Sequence, residues 1–205
     1  MPDRVDIIVL AAGLSSRFGR PKQLEILAGD PLVVHTVRKA QAAATGNVIV
    51  VVGAEADRVR DALVDLPVSI VDNPAFASGQ ASSLIAGISH AQANGADAVI
   101  VLLADQPGID PDAIVDLQAA RASGALVGMA EYGAERGHPV MFGHELFPEL
   151  LALSGDAGGR EVVRRHQADL VLVSGRRSTV PADLDREDDR AAVLAELEAS
   201  DARDR

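Results

Sequence analysis

Three short aliphatic runs limit the folds open to this chain. Residues 7–10 (IIVL), 47–52 (NVIVVV) and 98–103 (AVIVLL) hold almost nothing but Val, Ile, Leu and Ala. A strand with one wet face alternates apolar and polar side chains. A run without that alternation must be covered on both faces, as in the parallel sheet of an α/β protein. The segments between the runs are long enough for a crossover helix, so the spacing reads as successive βαβ units.

The intervening pattern supports this. Asp30 reads as an N-cap with Pro31 at the first helical position, and Val33, Val37, Ala40 and Ala44 fall on one face of the helix that follows. Residues 56–64 and 84–93 read as helices, with a short strand at 68–71. Asp110-Pro111 repeats the capping device, with Ile114 and Leu117 facing inward. From Gly124 the pattern changes. Apolar 125–130, a polar turn at 131–137 and apolar 138–142 predict a hairpin or antiparallel excursion. A helix near 145–153, a basic helix at 161–166 and a strand at 169–173 follow. An acidic helix from 186 frays toward 205. No repeat or long linker divides the chain, so residues 1–205 are expected to form a single domain. The expected class is a three-layer α/β fold with a mostly parallel mixed sheet.

Composition narrows the chemistry. There is no cysteine, which removes disulfides, thiolate metal sites and cysteine nucleophiles. The net charge of −11 repels nucleic acid and acidic membranes, and aromatics at 2% leave little stacking surface for single strands. No run reaches the length of a membrane span, and the start lacks a basic n-region. The expectation is a cytoplasmic enzyme without nucleic-acid or membrane partners. An anionic nucleotide would need local cations in so acidic a protein.

Those cations stand at residues 7–24, IIVLAAGLSSRFGRPKQL. The first aliphatic run breaks at Ala11-Ala12-Gly13 into a hydroxyl-bearing loop carrying Arg17 and Lys22 across Gly19 and Pro21. A strand feeding a Gly/Ser loop brings backbone N–H groups and fixed charge to phosphates. It is not a Walker A loop, since Lys22 follows Pro21 and precedes Gln23, and it is not GxGxxG. It resembles the LAAGxSxRxGxxKxL signature of the GT-A-like, Rossmann-like nucleotidyltransferases, and most of all the molybdenum cofactor cytidylyltransferase branch. The resemblance continues, in family order, to about Asp189.

What the resemblance implies is a nucleotidyltransferase that passes CMP from CTP to the phosphate of molybdopterin and releases pyrophosphate, with Mg²⁺ as cofactor and a molybdoenzyme as client. Arg17, Lys22 and Asp105 would be catalytic. Leu10, Ala11, Ala12 and Gly13 would meet the nucleotide. So would Asn73, Gly79, Ser82 and Ser83, in a segment like NPxWxxGQxSS with Phe76 in place of Trp. His138 lies in a GHPVxF-like motif, and Asp156 and Arg160 in a GDxGAR-like one; these would position the acceptor.

Asp105, in Ala104-Asp105-Gln106-Pro107, stands at the carboxyl end of a rigid strand, where open α/β sheets bind ligands, and suits Mg²⁺. The alternative is that it only caps the turn into the following helix. A second metal carboxylate falls within residues 183–189, where Asp183, Asp185 and Asp189 match the family's D-I-D-T-P-E-D segment but its Thr-Pro pair is Arg186-Glu187. Asp185 is preferred; an acidic helix start explains the segment as well. Ser82 and Ser83 also suit a helix start, and His138 also suits a structural histidine.

Relatives that use GTP carry LAGG and GGxDK, whereas this chain has LAAG and RPK, and the methyl of Ala12 narrows the room beside the base. That favours CTP. The same fold acting on another phosphorylated acceptor, a non-catalytic molybdopterin chaperone and a reductase remain as alternatives.

Overall fold

The computed structural model describes residues 3–15 and 18–201. The chain opens with β1 (Val5–Ala11), then forms a small hairpin of β2 (Ile26–Leu27) and β3 (Asp30–Pro31) that leads into α1 (Leu32–Ala43). Next come β4 (Val48–Val52), α2 (Ala56–Ala62), β5 (Ser69–Asp72), α3 (Gln80–Ala93), β6 (Ala98–Leu103) and α4 (Pro111–Ala122). The second half contains β7 (Val127–Tyr132), β8 (Glu135–Gly143), α5 (Phe147–Leu151), α6 (Gly159–Arg165), β9 (Leu170–Ser174) and α7 (Arg190–Asp201).

Among the described residues a seven-stranded sheet runs in the order β5-β4-β1-β6-β8-β7-β9. β8 is antiparallel to both its neighbours, and every other pairing is parallel. Strand geometry explains why the aliphatic runs show no alternation. Successive side chains point to opposite faces. Ile7, Val9, Val48, Val50, Ile100 and Leu102 therefore enter one core, against α1, α2 and α4. Ile8, Ile49, Val51, Val99 and Val101 enter the other, against α3, α5 and α6. The result is the three-layer mixed sheet that the sequence predicts.

A third apolar cluster joins Phe18, Leu27 and Leu32 to Leu184, Val193 and Leu197. It seats α7 on the segment that follows β1.

Three local expectations are revised. Asp30 does not cap α1, because Ala28 and Gly29 turn with positive φ and commit Asp30 to pairing with Leu27, so that Pro31 becomes the N-cap. The carboxylate of Asp30 engages Arg38 instead. At the second such pair the expectation holds, and Asp110 accepts from the backbone N–H of Asp112 at 3.1 Å. α3 begins at Gln80, earlier than predicted, so Ser82 and Ser83 lie within its first turn. The helix predicted at 145–153 is a 3-10 turn, His144–Leu146, continued by the short α5.

Candidate active site

β1 and β6 are neighbours in the middle of the sheet, and their carboxyl ends open onto one cleft of about 340 Å³. Lys22 starts a 3-10 turn, Lys22–Leu24, on one wall. Its ammonium lies 2.6 Å from Asp105 Oδ2 and 2.7 Å from Asp185 Oδ1. Burial works against its charge, but the two carboxylates outweigh that and hold its pKa above the ordinary lysine value. Arg17 lies outside the described residues.

Asp105 is fixed by the turn after β6. The N–H of Gln106 donates to Leu103 O at 3.2 Å, and the N–H of Leu184 donates to Asp105 O at 3.0 Å. That second bond brings residues 183–185 to the site. Burial, and then repulsion from Asp105, raise the pKa of Asp183, while a hydrogen bond with Gln106 works the other way. Asp189 turns back on the chain, its Oδ2 accepting from the N–H groups of Asp185 and Arg186 at 3.0 and 2.7 Å.

No group of three or more ligating side chains that could hold a metal forms among the described residues. Two carboxylates nevertheless share one cation here, and their hard oxygens suit Mg²⁺ or Mn²⁺. Such ions are often bound by one or two carboxylates, with water and substrate phosphates completing the shell. The donor set fits the ion.

Gly79 and α3 form the facing wall. Gly79 has φ of 117°, and a Cβ there would stand 2.2 Å from Gly155 O, so only glycine permits this approach of the two loops. The N–H of Ala81 donates to Gly155 O at 3.1 Å across the same junction. Asn73 is buried behind the wall. Its Nδ2 donates to Ser82 Oγ and Ser83 Oγ, both at 2.9 Å, and its Oδ1 accepts from the N–H of Ala75 at 3.0 Å. The Ser82 hydroxyl lies within hydrogen-bond distance of the carbonyls of Ala75 and Gly79.

Leu10, Ala12, Gly13, Gly79, Ser83 and Asp156 line the cleft together with Lys22 and Asp105. Ala11 is buried at the end of β1. A smaller cavity of about 50 Å³ adjoins, sharing Leu10 and Gln80 with the cleft and lined also by His138 and Arg160. Enclosure lowers the pKa of His138 to about 4, the pull of Asp105 opposing this and Arg160 reinforcing it. The ring is therefore neutral at pH 7 and serves as donor and acceptor rather than as a charge. The Tyr132 hydroxyl donates to His138 O at 2.7 Å and fixes the backbone of β8 there.

The expected residues other than Arg17 thus divide between the cleft, its adjoining cavity and the supports behind them. Two glutamines were missed by sequence reasoning. Gln80 stands where cleft and cavity meet, and Gln23, only 3% exposed, bonds to the loop after β1. Gln80 is a fixed position of the NPxWxxGQxSS-like segment and could have been singled out from it, whereas Gln23 carried no signal beyond following Lys22.

A family model described as the MobA-like NTP transferase domain matches residues 7–170. Nicotine blue oxidoreductase of Paenarthrobacter nicotinovorans is 32% identical over 166 residues, covering 77% of this chain and 80% of that protein. The crystal structure of a Mycobacterium sp. strain JC1 homologue of Rv0371c superposes with a TM-score of 0.84 at 30% identity, covering 98% of this chain and all of that one. Rv0371c of Mycobacterium tuberculosis, solved as a complex with manganese, matches at 25% identity and TM-score 0.79, over 94% of this chain and 98% of that one. Against the bifunctional GlmU proteins that it also matches, the chain spans about a third of their length.

Proposed function

The chain belongs to the MobA-like NTP transferase family and is a nucleotidyltransferase; from that premise we propose that it transfers CMP from CTP to the phosphate of molybdopterin. The observation that carries this reading is the convergence of Asp105 and Asp185 on Lys22, in the wall of the cleft at the ends of β1 and β6.

In the reaction, an acceptor phosphate oxygen forms a bond to the α-phosphorus of CTP. The bond from that phosphorus to the bridging oxygen breaks, and its electron pair leaves with pyrophosphate. Two anions must meet, so positioning and charge neutralisation dominate the catalysis. Lys22, with Arg17, holds the triphosphate and the departing pyrophosphate. Asp105 and Asp185 are the residues that would hold a divalent ion, Mg²⁺ in this reading, whose chemistry there is neutralisation of phosphate charge. Gly79 and Ser83 face the nucleotide from the opposite wall, with Asn73 and Ser82 bracing them. Neutral His138, with Asp156 and Arg160, orients the acceptor. A molybdoenzyme would receive the product, and the work is cytoplasmic; among the described residues no helix is long and apolar enough to cross a membrane.

The preference for CTP rests on Ala12, a buried residue on the cleft wall whose methyl takes room that glycine would leave open. Pyrophosphate release is the test, measured with CTP or GTP and with molybdopterin, a sugar phosphate or no acceptor. CTP with molybdopterin should turn over fastest. Ala12→Gly should narrow the preference over GTP by about 10–200-fold at most, the worth of one pocket contact. Equal use of both nucleotides by the wild type defeats the CTP assignment, and turnover only with another phosphate moves the acceptor. Nucleotide binding without turnover favours a chaperone role.

The oxidoreductase name of the 32% identical relative supports a second reading, reduction of an organic substrate. Bound flavin in the absorbance spectrum, or oxidation of a nicotinamide cofactor, would favour it.

A further inference from the structure

The end of β1 and the residues just after it form the cleft wall on which the triphosphate reading rests, and the carbonyl oxygens of residues 10–13 follow a consistent pattern. Leu10 O accepts from the N–H of Ala104 at 3.1 Å, and Ala12 O accepts from the N–H of Ala54 at 3.3 Å. Ala11 O and Gly13 O both accept from one side chain, Gln23 Nε2, at 3.1 and 2.8 Å. Every carbonyl from Leu10 to Gly13 is therefore taken by a donor of the protein itself. The other end of the same amide is also engaged, since Ser15 Oγ donates to Gln23 Oε1 at 3.1 Å and accepts from the N–H of Lys22 at 3.1 Å. One buried glutamine ties the strand end, the loop and the start of the lysine turn together.

A carbonyl oxygen turned toward a phosphate repels it. A loop whose carbonyls are held elsewhere presents its N–H groups and small side chains to the anion. We infer that Gln23 is a positioning residue for the polyphosphate, holding the Ala11 and Gly13 carbonyls off the phosphates while it sets the backbone of Lys22. This rests on the nucleotidyl-transfer reading. Gln23 borders the cleft but acts through the loop.

A residue that only stabilises the fold would, when lost, weaken every ligand alike. Gln23 should act on phosphates alone. The test is calorimetric or competitive binding of CTP, pyrophosphate and cytidine to wild type and Gln23→Met, a variant that keeps the volume and removes the amide. CTP and pyrophosphate should weaken about tenfold or more, the scale of hydrogen bonds lost in a preformed site. Cytidine affinity and the KM for the acceptor should stay at wild-type values. Gln23→Glu, with an acceptor where the two carbonyls need a donor, should lose more. If Gln23→Met does not fold, Ser15→Ala, which cuts only the link from the amide to Lys22, should show the same selectivity with smaller loss.

Equal weakening of all three ligands, or no change in any, overturns the proposal. A wild-type protein that binds neither CTP nor pyrophosphate overturns the nucleotidyl-transfer reading itself.

Discussion

Lys22 carries one positive charge between two carboxylates that reach it from distant parts of the chain. Loss of a group that stabilises charge on a leaving phosphate typically costs about 10²–10³ in rate. Lys22→Ala should show a loss of that size in pyrophosphate release while keeping its circular dichroism, because the side chain supports no apolar core. Near-normal release by the folded variant would remove Lys22 from the mechanism. Asp105→Asn should abolish turnover at every Mg²⁺ concentration, since the amide keeps the turn and loses the charge; wild-type activity at low Mg²⁺ would refute that role. Lys22 and Asp105 were legible in the sequence because one lies in the Gly/Ser loop that an aliphatic strand feeds and the other in the turn that ends such a strand. The pairing of Lys22 with Asp185 was not, for it spans 163 positions and depends on how the C-terminal segment returns. Gln23 was hidden for a related reason: a polar side chain acting on backbone carbonyls leaves no pattern in spacing.

At the scale of elements, the contrast between Asp30 and Asp110 shows how local signals can be overruled. Both precede a proline, yet only Asp110 caps a helix, because the turn at Ala28 and Gly29 draws Asp30 into a hairpin first. The acidic segment after residue 182 was legible both as a helix start and as the source of a second metal carboxylate, but not how it reaches the candidate site. Leu184 explains how it comes to be there. Its side chain is fully buried in the cluster that seats α7, and its N–H binds Asp105 O. Leu184→Ala should therefore lower stability by about 2–5 kcal/mol, the range for truncating a buried leucine. It should also weaken nucleotide turnover beyond what the unfolded fraction accounts for, because Asp183 and Asp185 lose their anchor. Denaturant midpoints and rates measured on the same samples check both. Loss of stability with full activity per folded molecule would show that Asp185 does not depend on this anchor.

At the scale of the whole molecule, one sheet shared by two cores makes every layer depend on the others. The sheet class was readable because runs such as 98–103 admit no wet face. The strand order was not, because nothing local shows that β8 inserts between β6 and β7. Single-domain behaviour is the expectation to test, and the sequence supplies a probe: Tyr132 is the only tyrosine and there is no tryptophan. It is fully buried on β7, far along the sheet from β5. If the chain unfolds as one unit, Tyr132 fluorescence and far-ultraviolet circular dichroism should report the same denaturant midpoint. Added KCl should raise that midpoint, because a net charge of −11 repels itself in the compact state and salt screens the repulsion. Two separated midpoints would divide the chain into independent units. A midpoint that falls with KCl would mean that attractive ion pairs, such as those at Lys22 and Arg190, outweigh the repulsion between like charges.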